Sequence, residues 1–241
     1  MLIGTLDEVE FAPEHPELVG KRVLVTGVAG PLGIDVVRAF AEARTRLVVQ
    51  ADEDGPETLA MAEIIAPHAM DVKLFPGRLD GADGMLRFAR EAAQKFGGLD
   101  VVINLARTEE PPVDADDAEI ERLVADSLAM PVLATRVAIN RMRTMLCPGT
   151  ILNIVTSPRD ALPGADLLAV IARHALASFT RSEAEEAAEA GIHVNAIVPA
   201  TGSVGPGRML SGSADVASLA LHLAGGRGPN LSGLVFEAWC G

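Results

Sequence analysis

The feature that most constrains the fold of this chain is an apolar strand–helix–strand pattern over residues 149–199. Residues 150–156 and 192–198 are short apolar runs, and an apolar periodicity typical of a helix covers residues 166–190. Gly191 follows at the place where a helix usually ends on a glycine. Two buried strands joined by a long helix form a βαβ unit, so this segment predicts a parallel sheet.

The connecting helix has one apolar stripe and an acidic second half. We predict that the stripe packs in the core or against helices of a neighbouring subunit, because its members recur at helical spacing: Leu168, Ile171, Ala175 and Phe179. The acidic second half of the helix contains Glu183, Glu185, Glu186 and Glu189.

The same alternation runs through the rest of the chain. Strands are predicted over residues 21–25, 46–50, 71–75 and 99–107, with helices between them, including a long one over 118–145. Strands alternating with helices indicate a doubly wound α/β fold. We expect one domain over residues 21–241, preceded by an acidic, proline-containing extension over residues 1–20.

Charge and cysteine content exclude several kinds of partner. A net charge of −13 argues against nucleic acid and against an anionic membrane surface. Cys147 and Cys240 lie far apart, which fits a reducing cytoplasm, so a cytoplasmic location is expected. No apolar run approaches the about 20 residues of a membrane span. The histidines lack metal-ligand spacing, so no metal site is expected.

Glycines follow the first predicted strand and open the next helix, the setting of a dinucleotide-binding turn. Thr26, Gly27, Gly30 and Gly33 resemble the Thr-Gly-x-x-x-Gly-x-Gly signature of short-chain dehydrogenases/reductases (SDRs), except that Pro31 replaces the middle glycine. Residues 153–156, 191–199 and 231–236 resemble strands of the same family. The resemblance covers about residues 18–241. It implies a single Rossmann-type domain with a seven-stranded, mostly parallel sheet and helices on both faces.

The resemblance also locates the catalytic positions, and they are changed. The family uses Ser, Tyr, Lys and Asn, whose positions correspond here to Thr156, Ala169, Arg173 and Ser127. Thr156 lies thirteen residues before Ala169 (169 − 156), which is the family's Ser-to-Tyr spacing. The chain contains no tyrosine at all, so no nearby tyrosine replaces the missing one. Thr156 and Ser127 keep hydrogen-bonding capacity and Arg173 keeps a charge, but none of them is an acid suited to carbonyl reduction.

The cofactor positions are altered as well. By the resemblance, NAD(P) would lie against Thr26, Gly27, Gly30, Leu32, Gly33, Asp52, Asn104 and Ala106. Asp52 is one position late for the ribose-binding carboxylate, and a simple acidic turn is an equal interpretation. Pro31, Arg107 and Ala200 replace glycines, and Arg78 takes the place of an acid that faces the adenine. The substrate lid is reduced to about residues 200–207. We therefore expect no NAD(P) binding, or only weak binding.

These losses favour a non-catalytic SDR homologue. We expect it to form a homo-oligomer, a dimer or tetramer, or a heteromer with an active SDR subunit. The interface is predicted on the helices over 118–145 and 166–190, with exposed apolar side chains: Leu123, Val132, Leu168 and Ile171.

Other functions remain open. The first alternative is an atypical NAD(P)-dependent oxidoreductase acting on a carbonyl or alcohol, and the second is a small-molecule or nucleotide sensor. Arg78 and Arg107 would suit an anion site in the pocket. Arg173 also fits haloalcohol dehalogenases, which resemble SDRs, but Ala169 does not. His174 is a poor substitute acid, because it points about 100° away from Arg173 around the helix.

Overall fold

The computed structural model describes residues 14–79, 81–108, 112, 114–156, 167–199, 212–225 and 231–238. The strands are β1 (Arg22–Val28), β2 (Arg46–Ala51), β3 (Asp71–Pro76), β4 (Val101–Arg107), β5 (Gly149–Thr156), β6 (Ile192–Pro199) and β7 (Val235–Ala238). The helices are α1 (Gly30–Glu42), α2 (Pro56–Ile65), α3 (Gly81–Ala92), α4 (Asp117–Met145), α5 (Leu167–Ala187) and α6 (Ser213–Ala224). Short 3₁₀ turns cover Pro16–Leu18 and Ala188–Ala190.

The seven strands form one sheet in the order β3-β2-β1-β4-β5-β6-β7, and every neighbouring pair is parallel. This confirms the predicted doubly wound sheet. The chain winds outward from β1 in one direction and from β4 in the other, so the carboxyl ends of β1 and β4 flank the point where the strand order reverses. Ligands bind at this point in open α/β sheets.

Helices cover both faces of the sheet. One core contains buried side chains of α1, α2 and α6, among them Phe40, Met61 and Val216. The other contains side chains of α3, α4 and α5, among them Phe88, Met142 and Ala184. Strand residues alternate between the two cores, as a sheet buried on both faces requires.

A buried polar network crosses the centre of the sheet. The Asn104 amide donates to Asn153 Oδ1 at 2.9 Å and to Thr135 Oγ1 at 3.1 Å, and its Oδ1 accepts from Thr26 Oγ1 at 3.1 Å. Asn153 Nδ2 donates in turn to Thr180 Oγ1 at 3.1 Å. All five side chains have 0% exposure. Because each of these side chains has a hydrogen-bond partner, the network fixes β1, β4 and β5 against α4 and α5 at little desolvation cost.

The buried stripe of α5 differs from the predicted one. Leu168 is buried, but Ile171 is 36% exposed and Ala175 is only half-buried. The buried residues at helical spacing are Leu168, as predicted, and Ala172, Leu176, Thr180, Ala184 and Ala187, while the predicted Phe179 is partly buried against the same core. Small alanines carry this face because α5 packs closely over β6, whereas the prediction followed the larger side chains.

The final strand also begins later than predicted. We expected extended structure from residue 231, but β7 begins at Val235 because Gly233 has a φ of 75°. Asn195 bridges the segment before it: its Nδ2 donates to the Leu231 carbonyl at 2.7 Å, and its Oδ1 accepts from the Leu234 N–H at 3.0 Å. The side chain therefore adds to the main-chain bonds with β6, in which the Gly233 N–H donates to the Val194 carbonyl at 2.8 Å and the Ala196 N–H donates to the Leu234 carbonyl at 2.9 Å.

Among the described helices, α4 is long and apolar enough to cross a membrane by length and composition, but 44% of its apolar stretch is buried inside the fold. It packs against α3, α5 and β4. Core helices of compact domains pass the same test, so this helix is weak support for a membrane span.

Candidate functional site

A cleft opens at the carboxyl ends of β1, β2 and β4 and is closed on one side by α4. It encloses about 60 Å³. The described residues that line it are Gly27, Gln50, Asp52, Arg78, Leu79, Met85, Leu105, Ala106, Arg107, Leu123, Asp126, Ser127, Met130 and Pro131. This is the position at which a doubly wound sheet is expected to bind a ligand.

The glycine turn between β1 and α1 is shaped by contacts with β4. Gly27 has a φ of 71°, and a Cβ there would lie 2.2 Å from the Leu105 carbonyl oxygen. A Cβ on Gly33 would lie 3.1 Å from a Val28 methyl. Gly30 has a φ of 59°, but a Cβ there would meet no described atom within 4 Å. Two of the three glycines are therefore explained by packing within the fold.

The first turn of α1 differs from a typical anion-binding helix start. Pro31 lies in this turn, where proline is compatible with the helix but offers no N–H. Ala29 is the N-cap and makes no side-chain capping bond. The turn therefore has one fewer N–H donor than it would have with a glycine at position 31.

Gln50 joins three loops at the floor of the cleft. Its Oε1 accepts from the Gly27 N–H at 2.7 Å, and its Nε2 donates to the Gly77 carbonyl and to Asp52 Oδ1, both at 3.2 Å. Only 2% of Gln50 is exposed. The amide thus ties the glycine turn to the ends of β2 and β3 and orients Asp52 beside the cleft.

Charged side chains of both signs lie at the mouth of the cleft. Arg78 Nη2 donates to Asp126 Oδ2 at 3.3 Å, and Arg122 Nη1 donates to the same oxygen at 3.0 Å. Arg107 is exposed and lines the cleft at the end of β4. An anion bound by Arg78 and Arg107 would therefore also lie close to the carboxylates of Asp52 and Asp126.

Two predicted catalytic positions carry hydroxyls already bonded to main-chain carbonyls. Ser127 is buried on α4 and donates to the Leu123 carbonyl at 2.8 Å. Thr156 ends β5 and donates to the Ala106 carbonyl at 3.3 Å. Thr108 reinforces the same strand ends, because its N–H donates to the Thr156 carbonyl at 3.1 Å. Among the described residues, Ser127 lines the cleft and Thr156 does not.

The remaining catalytic positions lie on α5. Arg173 is half-buried on this helix, and the backbone of Ala169 lies one turn before it. Several predicted positions lie outside the described residues: the Ala169 side chain, residues 157–166, and residues 200–211, which include Ala200 and the predicted lid.

The predicted cofactor residues are only partly brought together. Gly27, Asp52 and Ala106 line the cleft. Thr26 and Asn104 instead direct their side chains into the buried network, and Leu32 packs against the core below α1. Gly30 lies in a neighbouring surface pocket with Glu53 and Glu57. In the described ranges, no group of three or more His, Cys, Asp or Glu side chains could hold a metal ion.

Sequence reasoning missed Gln50 and Asp126. Gln50 is a polar residue inside an otherwise apolar strand, which is itself a signal of a buried hydrogen-bonding role. Asp126 directly precedes Ser127 and carries no pattern that separates it from the other acids of the helix.

Known proteins share this sequence and fold. A sequence model of the short chain dehydrogenases matches residues 21–206. A galactitol 2-dehydrogenase of Agrobacterium fabrum is 29% identical over 184 residues, covering 76% of this chain and 70% of that protein. Glucose 1-dehydrogenase 2 of Bacillus subtilis is 25% identical over 193 residues, covering 78% of this chain and 74% of that protein.

Solved structures agree in fold. A hydroxysteroid dehydrogenase of Escherichia coli superposes with a TM-score of 0.77 at 22% identity, covering 93% of this chain and 98% of that one. A short chain dehydrogenase of Mycobacterium smegmatis superposes with a TM-score of 0.77 at 24% identity, covering 92% of this chain and 93% of that one. With the family match over most of its length, this chain belongs to the short-chain dehydrogenase/reductase family.

Proposed function

We propose that this protein is a non-catalytic member of its family, a structural or regulatory subunit that does not carry out hydride transfer on its own. The observation that carries the proposal is the absence of tyrosine from the whole chain, with Ala169 at the position of the family's proton donor. Reduction of a carbonyl needs a proton for the forming alkoxide as well as a hydride. Losing a general acid costs about 10²–10⁴-fold in rate.

The neighbouring groups do not replace this acid. The Thr156 and Ser127 hydroxyls are bonded to the carbonyls of Ala106 and Leu123. A neutral hydroxyl is a poor acid near pH 7. A guanidinium stays protonated throughout the physiological range, so Arg173 contributes charge without releasing a proton.

The cleft also fits a nicotinamide dinucleotide poorly. Such a ligand needs close backbone approach and free N–H donors at the glycine turn. Here the Gly27 N–H is bonded to Gln50, and Pro31 has no N–H to offer. The Arg107 side chain projects beside the cleft, where a glycine would leave space. Together these features support absent or weak NAD(P) binding.

The intact scaffold supports a role in assembly. In the part of the chain that the structure describes, the sheet, both cores and the buried Asn104 network are formed. The outer side of α5 presents Ile171, His174, Ser178 and Glu185 to solvent. We propose that this side of α5, with the adjoining part of α4, contacts a second copy or an active SDR subunit.

A turnover assay tests the proposal. The purified full chain, supplied with NADH or NADPH and a panel of ketones and aldehydes, should show no oxidation of the cofactor above a no-protein control. The reverse assay, with alcohols and NAD⁺ or NADP⁺, should also be negative. Turnover that Thr156→Ala abolishes, while circular dichroism shows an intact fold, would refute the non-catalytic function. Residual turnover that is unchanged in Thr156→Ala would indicate a contaminating enzyme.

A second candidate is an atypical NAD(P)-dependent oxidoreductase acting on a carbonyl or alcohol. The names of the relatives favour it, because galactitol 2-dehydrogenase and glucose 1-dehydrogenase 2 are dehydrogenases. Asp52 at the cleft is consistent with it, since a carboxylate there can accept hydrogen bonds from a ribose. This function requires a proton from water or from outside the described residues, so its rate should rise as the pH falls.

A further inference from the structure

Two large apolar side chains at the end of α4 are exposed to solvent. Leu146 is 92% exposed and the preceding Met145 is 44% exposed. Leu146 is the C-cap of α4 and has a φ of 50°, a left-handed conformation that is unfavourable for leucine and that glycine usually fills at the end of a helix. A glycine would end this helix at a lower cost in free energy. Helix termination therefore does not explain the leucine.

Carboxylates lie beside this leucine. Glu186 and Glu189 are exposed and line one surface depression together with Leu146, Arg143 and Ala190. The Nη2 of Arg143 donates to the Glu186 main-chain carbonyl. Within the described ranges, neither carboxylate forms an ion pair. We call the surface formed by Leu146, Glu186 and Glu189 the Leu146 corner.

A groove of complementary character lies between α3 and α4. It encloses about 320 Å³. Its lining includes four aliphatic side chains and three arginines but, among the described residues, no carboxylate: Leu86, Ala93, Leu133, Val137, Arg90, Arg136 and Arg141. We call this surface the α3–α4 groove. An apolar floor beside guanidinium groups fits an apolar side chain that is flanked by carboxylates.

Two of the three groove arginines can accept a further anionic partner. Arg136 is already paired, because its Nε lies 3.1 Å from the buried carboxylate of Glu183. Arg90 is exposed and forms no ion pair in the part of the chain that the structure describes. Arg141 donates from Nη2 to the Gly97 carbonyl at 3.5 Å, and its buried Nε has no hydrogen-bond partner among the described residues.

The groove and the corner lie side by side on one face of the molecule. Both border the C-terminal half of α4: Arg136 of the groove reaches Glu183 on α5, and Arg143 at the corner reaches Glu186 one turn further along. Packed helices lie about 8–10 Å apart, so both surfaces fit within one standard interface of about 800 Å² per partner. A two-fold axis between two such surfaces brings each one onto its complement, and every contact then occurs twice.

We propose that a second copy of this chain docks its Leu146 corner in the α3–α4 groove, with Leu146 on the apolar floor and Glu186 and Glu189 on the arginines. Each copy supplies both a groove and a corner. This contact rests on the assembly role of the proposed function, and it does not depend on the state of the cleft. It uses the end of α5 opposite to Ile171, so variants at the two places report on separate contacts.

A charge exchange measured by sedimentation velocity tests the contact. Arg90→Glu with Arg141→Glu alters the groove, and Glu186→Lys with Glu189→Lys alters the corner. Either variant alone should raise the dissociation constant for self-association at least about tenfold, because like charges would then face each other. An equimolar mixture of the two variants should associate as the wild type does, since each groove again meets a corner of opposite charge. Glu57→Lys with Glu63→Lys, on the exposed side of α2, is the matched control and should have no effect.

Leu146→Gly separates the contact from the stability of the fold. It removes the exposed side chain and relieves the positive φ, so the denaturant midpoint should not fall, whereas self-association should weaken about tenfold. This variant and the corner variant keep the test decisive if the groove variant does not fold.

Association that is unchanged in the charge variants, or that mixing them does not restore, would overturn the proposed contact. A loss of association in Ile171→Glu alone would then leave the assembly role standing. A wild-type protein that stays monomeric at micromolar concentration would also overturn the contact between copies.

Discussion

The glycines of the β1–α1 turn have different reasons for being glycine. Gly27 and Gly30 both have positive φ, which costs a non-glycine residue about 1–2 kcal/mol. Only Gly27 also faces a close contact, with the Leu105 carbonyl oxygen 2.2 Å from a Cβ position. The two positions therefore form a matched pair that separates backbone strain from steric clash.

We predict that Gly27→Ala lowers the free energy of unfolding by more than Gly30→Ala. Gly30→Ala should cost about 1–2 kcal/mol from φ alone. Gly27→Ala adds the displacement of β4 and should cost at least about 2 kcal/mol more, a typical penalty for overpacking. Urea unfolding monitored by circular dichroism measures both. Equal losses in the two variants would mean that the turn moves away from Leu105 freely.

Asp100 is the residue whose ionisation most clearly depends on the fold. Burial by itself would raise the pKa of the Asp100 carboxyl, but hydrogen bonds from the side chain and N–H of Arg22, with the guanidinium charge, bring that pKa below its ordinary value of 3.8. Arg22 donates to the carboxylate through its N–H and Nε at 2.8 Å and through Nη2 at 2.7 Å. A carboxyl with a depressed pKa in the folded state stabilises the protein above its unfolded pKa, and that contribution is lost as pH falls through the folded value.

Asp100→Asn should therefore destabilise the protein by about 1–3 kcal/mol at pH 7, as expected for hydrogen bonds to a charged group. The gap between wild type and variant should narrow as the pH falls from 5 towards 2. Asp71→Asn is the control, because the Asp71–Lys73 pair is exposed and should contribute less than about 1 kcal/mol. Denaturant midpoints across this pH range give the comparison, and a gap that stays constant would contradict the assigned role of the ion pair.

At the scale of elements, the sequence predicted which strands and helices exist, and in what order, better than which side of a helix is buried. Apolar runs and helical periodicities located the first six strands and the helices between them, because these depend on local patterns, while the family resemblance located the last strand. The facing of α5 depended on its close approach to β6, which favours Ala172 and Ala184 over the larger Ile171. Local pattern carries little information about how closely two elements approach, so the predicted facing was wrong.

The predicted exposed apolar patch on α4 and α5 was wrong in part, for the same reason. Leu123 and Leu168 were expected on the surface of α4 and α5, but they are 4% and 2% exposed. Leu123 lines the cleft instead. Ile171 does lie on the surface, and Val132 is half-buried.

Of the candidate site, the glycine turn and Asp52 were located by motif, whereas Gln50 became visible only through its contacts with loops distant in sequence.

The network around Asn104 is the polar connection between elements that should matter most for stability. Asn104→Leu removes bonds to Thr26, Thr135 and Asn153 in a site with no exposure. Partners left unsatisfied in a buried site should lower the free energy of unfolding by about 2–4 kcal/mol. The exposed Ser182→Ala, measured by the same denaturant titration, should change it by less than about 0.5 kcal/mol. A loss as small as that of the control would show that water or rearrangement satisfies the network.

For the whole molecule, self-association through α5 and α4 is the expected assembly. We predict a dimer or tetramer in sedimentation velocity at micromolar concentration. Ile171→Glu should shift it towards monomer, because a carboxylate would be buried in an apolar contact. Leu59→Glu, on the exposed face of α2, is the matched control and should leave the sedimentation coefficient unchanged. Monomer alone in the wild type would leave a heteromer with an active SDR subunit as the remaining assembly, and co-sedimentation with such a subunit would then test it. The cytoplasmic location stays a prediction.

Cofactor binding in the cleft is the most direct test of the proposed non-catalytic function, because hydride transfer by this family requires a bound nicotinamide dinucleotide. Isothermal titration calorimetry of the full chain with NADH and with NADPH measures this step without reference to any substrate. We predict a dissociation constant of about 1 mM or weaker for both, since the Gly27 N–H is engaged by Gln50 and Pro31 supplies no donor. A dissociation constant in the low micromolar range for either cofactor would contradict this prediction, and the oxidoreductase function would then take precedence.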